Sequence, residues 1–469
     1  MAEKQHKLHA IMISVPFQGH INPYVNLAVK LASKGCTVTF AHIEYIHRKL
    51  AKAHNSDDLF SEARKSGLDI RYTTISDGLP LEYDRDLHAE AYWGHLFHKF
   101  PAIVDDFIGK TIESDPFSVP FLVADTIYAW SAAIAEKYKL VNVSFWAPTA
   151  LVFSLLYHMD LLKEKGDIPC IDGNEKEINY IPGIKSINTK DLMSYLRVID
   201  DRHEARESLP MAFKEVKKAD FILQNTVHEL EFETLSALNK YQPTYAIGPM
   251  NLATNTVPKS LQSESDCTHW LESKAPGSVL YVSFGSLVQA SKHVIEEIAY
   301  GLLLSEVNFV CAVRAGIVGS DGNGLPHGFE DEMKDKGLIV PWCNQVAVLS
   351  NPAIGGFLTH CGWISAIESV WCGVPMICYP LSYDHPTTRK LMVDDLKIGI
   401  NLCDGESVDR KEIAEKIKSF MNGTTSKSLK YETNKVKETL KNALEVDGSS
   451  ERNFNQFFND LKEKIHATN

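Results

Sequence analysis

HAIMISVPFQGHINPYVNLAVKLASKGCTVTFAHI, residues 9–43, decides the fold of this chain. HAIMISVP is an uninterrupted apolar run of strand length, and FQGH reads as a short loop. INPYVNLAVKLASKG repeats apolar residues at helical spacing and stops at Gly35, after which CTVTFAHI is again a strand. Strand, helix and strand in this succession make a β-α-β unit. Its right-handed crossover lays the two strands side by side in a parallel sheet.

The rhythm continues outward from there. Further strands read at LDIRYTTI, VPFLVADT, LVNVSFW and DFILQNT, so residues 1–250 are expected to form an open α/β domain. NLATNTVPKSLQSESD, residues 251–266, is polar, non-periodic and rich in Ser, Thr, Asn and Pro, and reads as a linker. The pattern then restarts with SVLYVSFGS, NFVCAVR, GLIVPW, AIGGFLTH and VPMICYP. A second doubly wound domain is expected over residues 267–449, with a last helix over 450–469 docking back on the first domain. At 469 residues the chain exceeds what one core usually supports, which also argues for two domains. Two Rossmann-like domains on one linker are expected to enclose a cleft. Ligands in open α/β sheets bind beyond the carboxyl ends of the strands.

Composition narrows the partners. Hydrophobic residues at 44% and charged residues at 23% are ordinary for a globular protein. A net charge of −12 repels nucleic acid and anionic membrane surfaces, so neither is expected to bind. Any nucleotide substrate must therefore be held by local amides and dipoles. The nine cysteines form no C-x-x-C pair, and several lie in apolar runs such as VNFVCAVR, which suits a reducing compartment. The apolar run at the N-terminus is too short for a signal peptide, and no run approaches the roughly 20 apolar residues of a membrane span. A cytoplasmic monomer is the expectation.

Two residues stand where a strand has no need of them. His20 follows the first strand, with Gly19 permitting a tight turn and Pro23 suiting the first turn of the helix. Asp125 ends the apolar run FLVAD, where an unpaired carboxylate is costly to bury. Taken singly, His20 reads equally as a solvent-facing loop residue and Asp125 as a helix cap. Taken together, both lie at the carboxyl edge of one sheet, and a His–Asp hydrogen bond would fix the imidazole tautomer and stabilise its cation.

The densest signal is WCNQVAVLSNPAIGGFLTHCGWISAIESVWCGVPMICYPLSYDH, residues 342–385. This box closely resembles the donor-binding signature of plant secondary-product UDP-glycosyltransferases, the family 1 enzymes of the GT-B fold. The resemblance runs along the whole chain through QGHINP, NTVHELE, IGPM and YVSFGS. It looks most like the branch acting on flavonoids and related phenolics.

The resemblance implies a UDP-sugar donor and a small phenolic acceptor; as no His/Cys cluster in the sequence offers a metal site, no metal or other cofactor is expected. It implies that Trp342 stacks on uracil, that Gln345 reaches the ribose or base, and that Glu368 accepts from the ribose hydroxyls. His360, Gly362, Ser365 and Ser286 are implied to hold the diphosphate, where helix dipole and backbone amides favour negative charge. Trp363, Asp384 and His385 are implied to face the sugar. Acceptor contacts are expected from Phe17, Tyr128, Phe145 and Trp146 and from the segments DGLPLEYDRDLHAEAYWGHLF and IPGIKSINTKDLMSYL, as an aromatic lining suits a flat phenol.

Three positions depart from the family pattern. Ile364 replaces a usual Asn after HCGW, which removes a phosphate donor worth about 0.5–1.5 kcal/mol. His385 replaces the usual Gln at the end of the box, and His there is associated with galactose or pentose donors in some relatives. WCNQ replaces WAPQ and reads as neutral. The implied reaction is an inverting displacement with His20 as base and Asp125 steadying the imidazolium. Alternatives are a nicotinamide oxidoreductase, which the glycines of AGIVGSDGNG do not support, and a weakly active UDP-sugar binder. The linkage formed, to oxygen or to carbon, stays open.

Overall fold

In the computed structural model of the protein, the described residues are 7–54, 58–85, 88–170, 175–197, 205–252, 260–318, 324–403 and 408–468. Much of the segment read as a linker, residues 253–259, lies outside them, as does part of the AGIVGSDGNG loop. The chain forms two compact units. The first comprises Met1–Thr189, Tyr195–Leu261 and Ala443–Asn469, and the second comprises Lys190–Ser194 and Gln262–Asn442.

The first unit is built on seven strands: β1 (Lys7–Ile13), β2 (Thr37–Ile43), β3 (Ile70–Ile75), β4 (Ser118–Asp125), β5 (Val141–Trp146), β6 (Phe221–Gln224) and β7 (Thr244–Ala246). They lie in the order β3-β2-β1-β4-β5-β6-β7, every neighbouring pair parallel. The chain runs outward from β1 to β3, then returns to the other flank of β1 to begin β4. The sheet therefore has its topological switch point between β1 and β4, where a doubly wound sheet opens a crevice.

Helix α1 (Gln18–Ser33) follows β1. It starts earlier than the sequence suggests: Phe17 is extended (φ −117°, ψ 135°) and acts as the cap, so Gln18, Gly19 and His20 are helical. Pro23 consequently lies inside the helix and not in its first turn. Tyr24, Leu27 and Leu31 from α1 pack with Phe40, Phe121 and Phe145 of the strands.

The C-terminal helix, Ser449–Thr468, inserts Phe454, Phe457, Phe458, Leu461 and Ile465 into this same core. Burying each such side chain contributes about 1.5–3 kcal/mol. Its polar groups close the sheet edge as well. Asn453 donates to the Ala246 carbonyl at 2.9 Å, and the Tyr245 hydroxyl meets Asp460. Covering β7 hides backbone groups that an open edge would expose.

The second unit has six parallel strands: β8 (Val279–Ser283), β9 (Asn308–Ala312), β10 (Gly337–Val340), β11 (Ile354–Thr359), β12 (Met376–Cys378) and β13 (Gly399–Asn401). Their order is β10-β9-β8-β11-β12-β13. Here the switch point falls between β8 and β11, whose last residues, Ser283 and Thr359, are register partners. β7 and β13, three residues each, escape the sequence reading because they are too short to show a period. None of the nine cysteines forms a disulfide. Among the described residues no helix is long and apolar enough to cross a membrane.

One buried residue makes the fold acid-sensitive. His42 on β2 is 1% exposed, packs against Phe40 and Tyr72, and has no hydrogen-bond partner for either ring nitrogen. Burial and the nearby His47 lower its pKa from 6.5 to about 3. Above pH 6.5 the ring is neutral in both folded and unfolded chains. As pH falls below that value, only the unfolded chain takes up the proton, and stability drops until the folded ring also titrates near pH 3. His42→Leu is expected to remove about 2 kcal/mol of the acid destabilisation seen at pH 5, with little change at pH 8. Urea unfolding of wild type and variant at both pH values measures this, and a variant equally acid-sensitive would contradict it.

Candidate active site

The switch point of the first unit brings two of the expected residues together. Asp125 is the last residue of β4, 1% exposed, and His20 stands in the first turn of α1 beside it. His20 Nδ1 lies 2.7 Å from Asp125 Oδ2, and Asp125 Oδ1 accepts the Ile127 amide at 3.1 Å. A carboxylate can only accept, so Nδ1 carries a proton, and in the neutral ring the lone pair lies on Nε2. When the ring is neutral, the pair therefore presents the tautomer of a general base, with a carboxylate placed to balance the cation it becomes.

The surroundings of His20 are aromatic. Phe17 lies edge-on to its ring at 6.4 Å and stacks on Trp93 at 4.7 Å, and Trp93 stacks on Phe97 at 5.4 Å. The loop leading to Trp93 is braced by a buried pair, in which Arg85 Nε donates to Asp77 Oδ2 at 2.7 Å and a second guanidinium nitrogen to Oδ1 at 2.8 Å. Of the four aromatic residues expected at the acceptor, only Phe17 keeps partial exposure. Phe145 has no accessible surface and packs on Tyr24, Trp146 packs between Phe153 and Phe213, and Tyr128 donates to the Ser14 carbonyl at 3.2 Å. All three are core residues: Phe145 and Trp146 lie on a strand buried on both faces, which turns its side chains into packing, and Tyr128 follows β4 with its hydroxyl taken by the Ser14 carbonyl.

In the second unit the expected donor residues gather beyond β8, β10, β11 and β12. Gln345 opens α2 (Gln345–Leu349), and Ser365 and Glu368 lie on α3 (Trp363–Cys372). The Gln345 amide donates to Ser365 Oγ at 2.9 Å and to Glu368 Oε2 at 2.7 Å. Tyr281 in β8, stacked on Phe357, donates to Gln345 Oε1 at 3.4 Å and so orients that amide. Glu368 is 7% exposed, and Trp342 is half-buried at the end of the segment leading to α2.

Around the start of α3 the backbone comes close to itself. The first intrahelical bond runs from Ala366 N–H to Gly362 O, so the Ile364 and Ser365 amides precede the helical ladder. The His360 imidazole is wedged between two loops. A Cβ on Gly285 would lie 2.5 Å from its Nε2, and one on Gly362 would lie 2.6 Å away, while Gly285 has φ +76°. Only glycine suits Gly285 on both counts. His360 bonds the Ser283 backbone, and its Nδ1 is buried without a protein partner. Burial lowers its pKa to about 4.

His385 begins α4 (His385–Lys390) and meets His360 edge to face at 4.7 Å. Its Nδ1 accepts the Ser382 amide at 3.3 Å, and burial together with His360 holds the ring neutral. The remaining expected residues differ in exposure. Ser286 is exposed beside Gly285, Asp384 is half-buried, and Trp363 is buried at the first position of α3. Among the described residues, no group of three or more His, Cys, Asp or Glu side chains could hold a metal ion.

The family described as UDP-glucoronosyl and UDP-glucosyl transferase matches residues 203–433. UDP-glycosyltransferase 86A1 of Arabidopsis thaliana is 50% identical across 99% of this chain and 96% of its own length. The chain belongs to the plant family 1 UDP-glycosyltransferases. A 7-deoxyloganetin glucosyltransferase of Catharanthus roseus is 33% identical over 98% of this chain and 97% of its own. A solved UDP-glucosyltransferase of Polygonum tinctorium, capable of glucosylating indoxyl, is 26% identical with a TM-score of 0.76 and covers 99% of both chains. The protein is thus a GT-B transferase that moves sugar from a UDP-sugar to a small acceptor.

Two of the family motifs outside the box, NTVHELE and IGPM, brace the fold. Asn225 of NTVHELE accepts the Met250 amide at 2.6 Å and donates to the Ala147 carbonyl at 3.2 Å, bracing the IGPM turn. Glu231 accepts the amides of Ala150 and Leu151 at 3.0 and 2.7 Å and caps a helix 80 residues away in sequence. Three residues of this glycosyltransferase were not singled out from sequence. Trp93 could have been found from its i, i+4 spacing to Phe97. Tyr281 and Arg314, which donates to the carbonyls of Leu287 and Val288, carry no local signal, since only the folded sheet brings them to these loops.

Glu368→Ala removes the acceptor that Gln345 holds in the ligand-free chain. It is expected to weaken UDP about 10- to 100-fold, as a bond to a charged group contributes ~1.5–3 kcal/mol. Calorimetric titration of UDP measures this. A dissociation constant within threefold of wild type would exclude the carboxylate from nucleotide binding.

Proposed function

We propose that the protein transfers a hexose, glucose foremost, from its UDP-sugar to a small phenolic, flavonoid-like acceptor by inverting displacement, with His20 as the base. The observation that carries this reading is the 2.7 Å bond between His20 Nδ1 and Asp125 Oδ2. Nε2 takes the phenolic proton as the acceptor oxygen attacks the anomeric carbon, the bond from that carbon to the diphosphate oxygen breaks, and UDP departs. The phenolate's ring carbon can attack in place of its oxygen; the dienone so formed loses the hydrogen on that carbon and takes a proton back on oxygen, giving a C-linked phenol. Asp125 offsets the positive charge that forms on the ring. Such base catalysis contributes about 10²–10⁴-fold, and the remainder comes from alignment and from stabilising the leaving diphosphate.

The Phe17–Trp93 stack beside His20 supports a flat aromatic acceptor. Glucose is supported by the relatives named glucosyltransferases. A galactose or pentose donor is favoured by one feature: with His385 Nδ1 taken by the Ser382 amide, the neutral ring offers a sugar only an N–H donor, whereas a Gln amide both donates and accepts. On the nucleotide side, Gln345, Ser365 and Glu368 suit the uridine, and the glycine-lined loops around His360 suit the diphosphate.

His20→Ala is expected to lower kcat/KM by about 10²–10⁴-fold and leave UDP affinity within about twofold, and Asp125→Asn to act in the same direction. Transfer is read by mass spectrometry across UDP-sugars and phenols, with the anomeric configuration of the product taken from NMR couplings. Near-native turnover by His20→Ala would refute the base, and a retained configuration would refute the single displacement.

A further inference from the structure

We propose that Ser194 and Asp191 are positioning residues for donor-sugar recognition, holding from two sides the turn that carries Asp384 and His385. The proposal rests on reading those two residues as the ones that face the sugar. Sequence alone assigned IPGIKSINTKDLMSYL to an acceptor wall of the first domain. The structure corrects this for five residues of it, since Lys190–Ser194 belong to the second unit.

The contacts fall on either side of Asp384 and His385. Tyr383, just before them, adopts φ +56°, a left-handed conformation that non-glycine residues rarely hold unaided. Both of its backbone polar groups are bound by one residue. The Tyr383 amide donates to Ser194 Oγ at 2.8 Å, and the Ser194 amide donates to the Tyr383 carbonyl at 2.9 Å. Ser194 Oγ also lies 3.1 Å from Ser382 Oγ.

Beyond His385, Thr387 Oγ1 donates to the Asp191 carbonyl at 2.7 Å, and Arg389 pairs with the Asp191 carboxylate. That pair is nearly solvent-free, with side-chain exposures of 10% and 8%, and Arg389 also reaches Asp394 at 3.0 Å. Residues 383 and 387 are therefore tied to a short stretch of chain outside the box, and the two residues between them inherit their aim. Hydroxyl stereochemistry is read by groups whose placement must hold to a fraction of an ångström, so the clamp governs sugar discrimination while leaving the uridine contacts of Gln345 and Glu368 untouched.

The test uses Ser194→Ala, Ser194→Thr and Asp191→Asn in the full chain. Calorimetry without acceptor gives dissociation constants for UDP, UDP-glucose and UDP-galactose, and thermal unfolding checks the fold. Ser194→Ala is expected to weaken the preferred UDP-sugar about five- to tenfold, keep UDP within twofold, and shrink the ratio between the two epimers. Asp191→Asn is expected to do the same, and Ser194→Thr, which restores the hydroxyl, to return the ratio toward wild type. A folded Ser194→Ala that discriminates as wild type does, or that loses UDP and UDP-sugar affinity equally, overturns the proposal alone. A wild-type chain that binds UDP and both UDP-sugars with one affinity overturns the reading of Asp384 and His385 beneath it.

Discussion

Both candidate sites depend on one strand pairing in each unit. β1 lies parallel to β4, with Ile13 opposite Ala124, so the two strands end at the same height although their ends are far apart in sequence. That shared ending brings an imidazole and a carboxylate separated by 105 residues to 2.7 Å. The pairing of β8 with β11 does the same in the second unit, setting Gly285 and its loop against His360. In each case the sheet reverses its winding at that pair, and the loops leaving the two strands diverge and leave polar groups uncovered.

Burial then sets what these groups can do. Asp125 is almost solvent-free, yet both oxygens accept bonds, so its charge is offset and its partner ring is locked in one tautomer. Gln345, Ser365 and Glu368 satisfy one another in the same way, and Tyr281 orients the central amide from beneath. His360 and His385 are kept neutral by the same exclusion of water. A net charge of −12 repels anions at long range, so the proposed transfer requires fixed local dipoles to hold the leaving diphosphate.

Two of the three departures from the family pattern, Ile364 and His385, fall where this arrangement is tightest. Ile364 occupies the first turn of α3, where its backbone amide persists although a side-chain donor is lost. His385 sits against His360, and its Nδ1 is already engaged by the loop it closes. Each change leaves the local backbone in place and alters the side chain presented there.

Local sequence determined the strands and helices with a clear period, the two-fold repetition of the α/β pattern, and the residue types near each sheet edge. Apolar runs and turn residues act over a few positions, so they are legible without a fold. His20 and Asp125 stood out because polar groups ending apolar strands are costly unless they have work to do, and the 342–385 box stood out by its resemblance to a family signature. Tertiary structure alone decided which aromatic side chains are core, as Phe145 and Trp146 proved to be, and which stack near His20, as Trp93 does. It also decided that α1 begins at Gln18, that three-residue edge strands complete both sheets, and that Ser194 grips Tyr383 across 189 residues. Those outcomes depend on contacts between segments distant in sequence, whose energies are fixed by packing and register and leave no periodic trace in the chain.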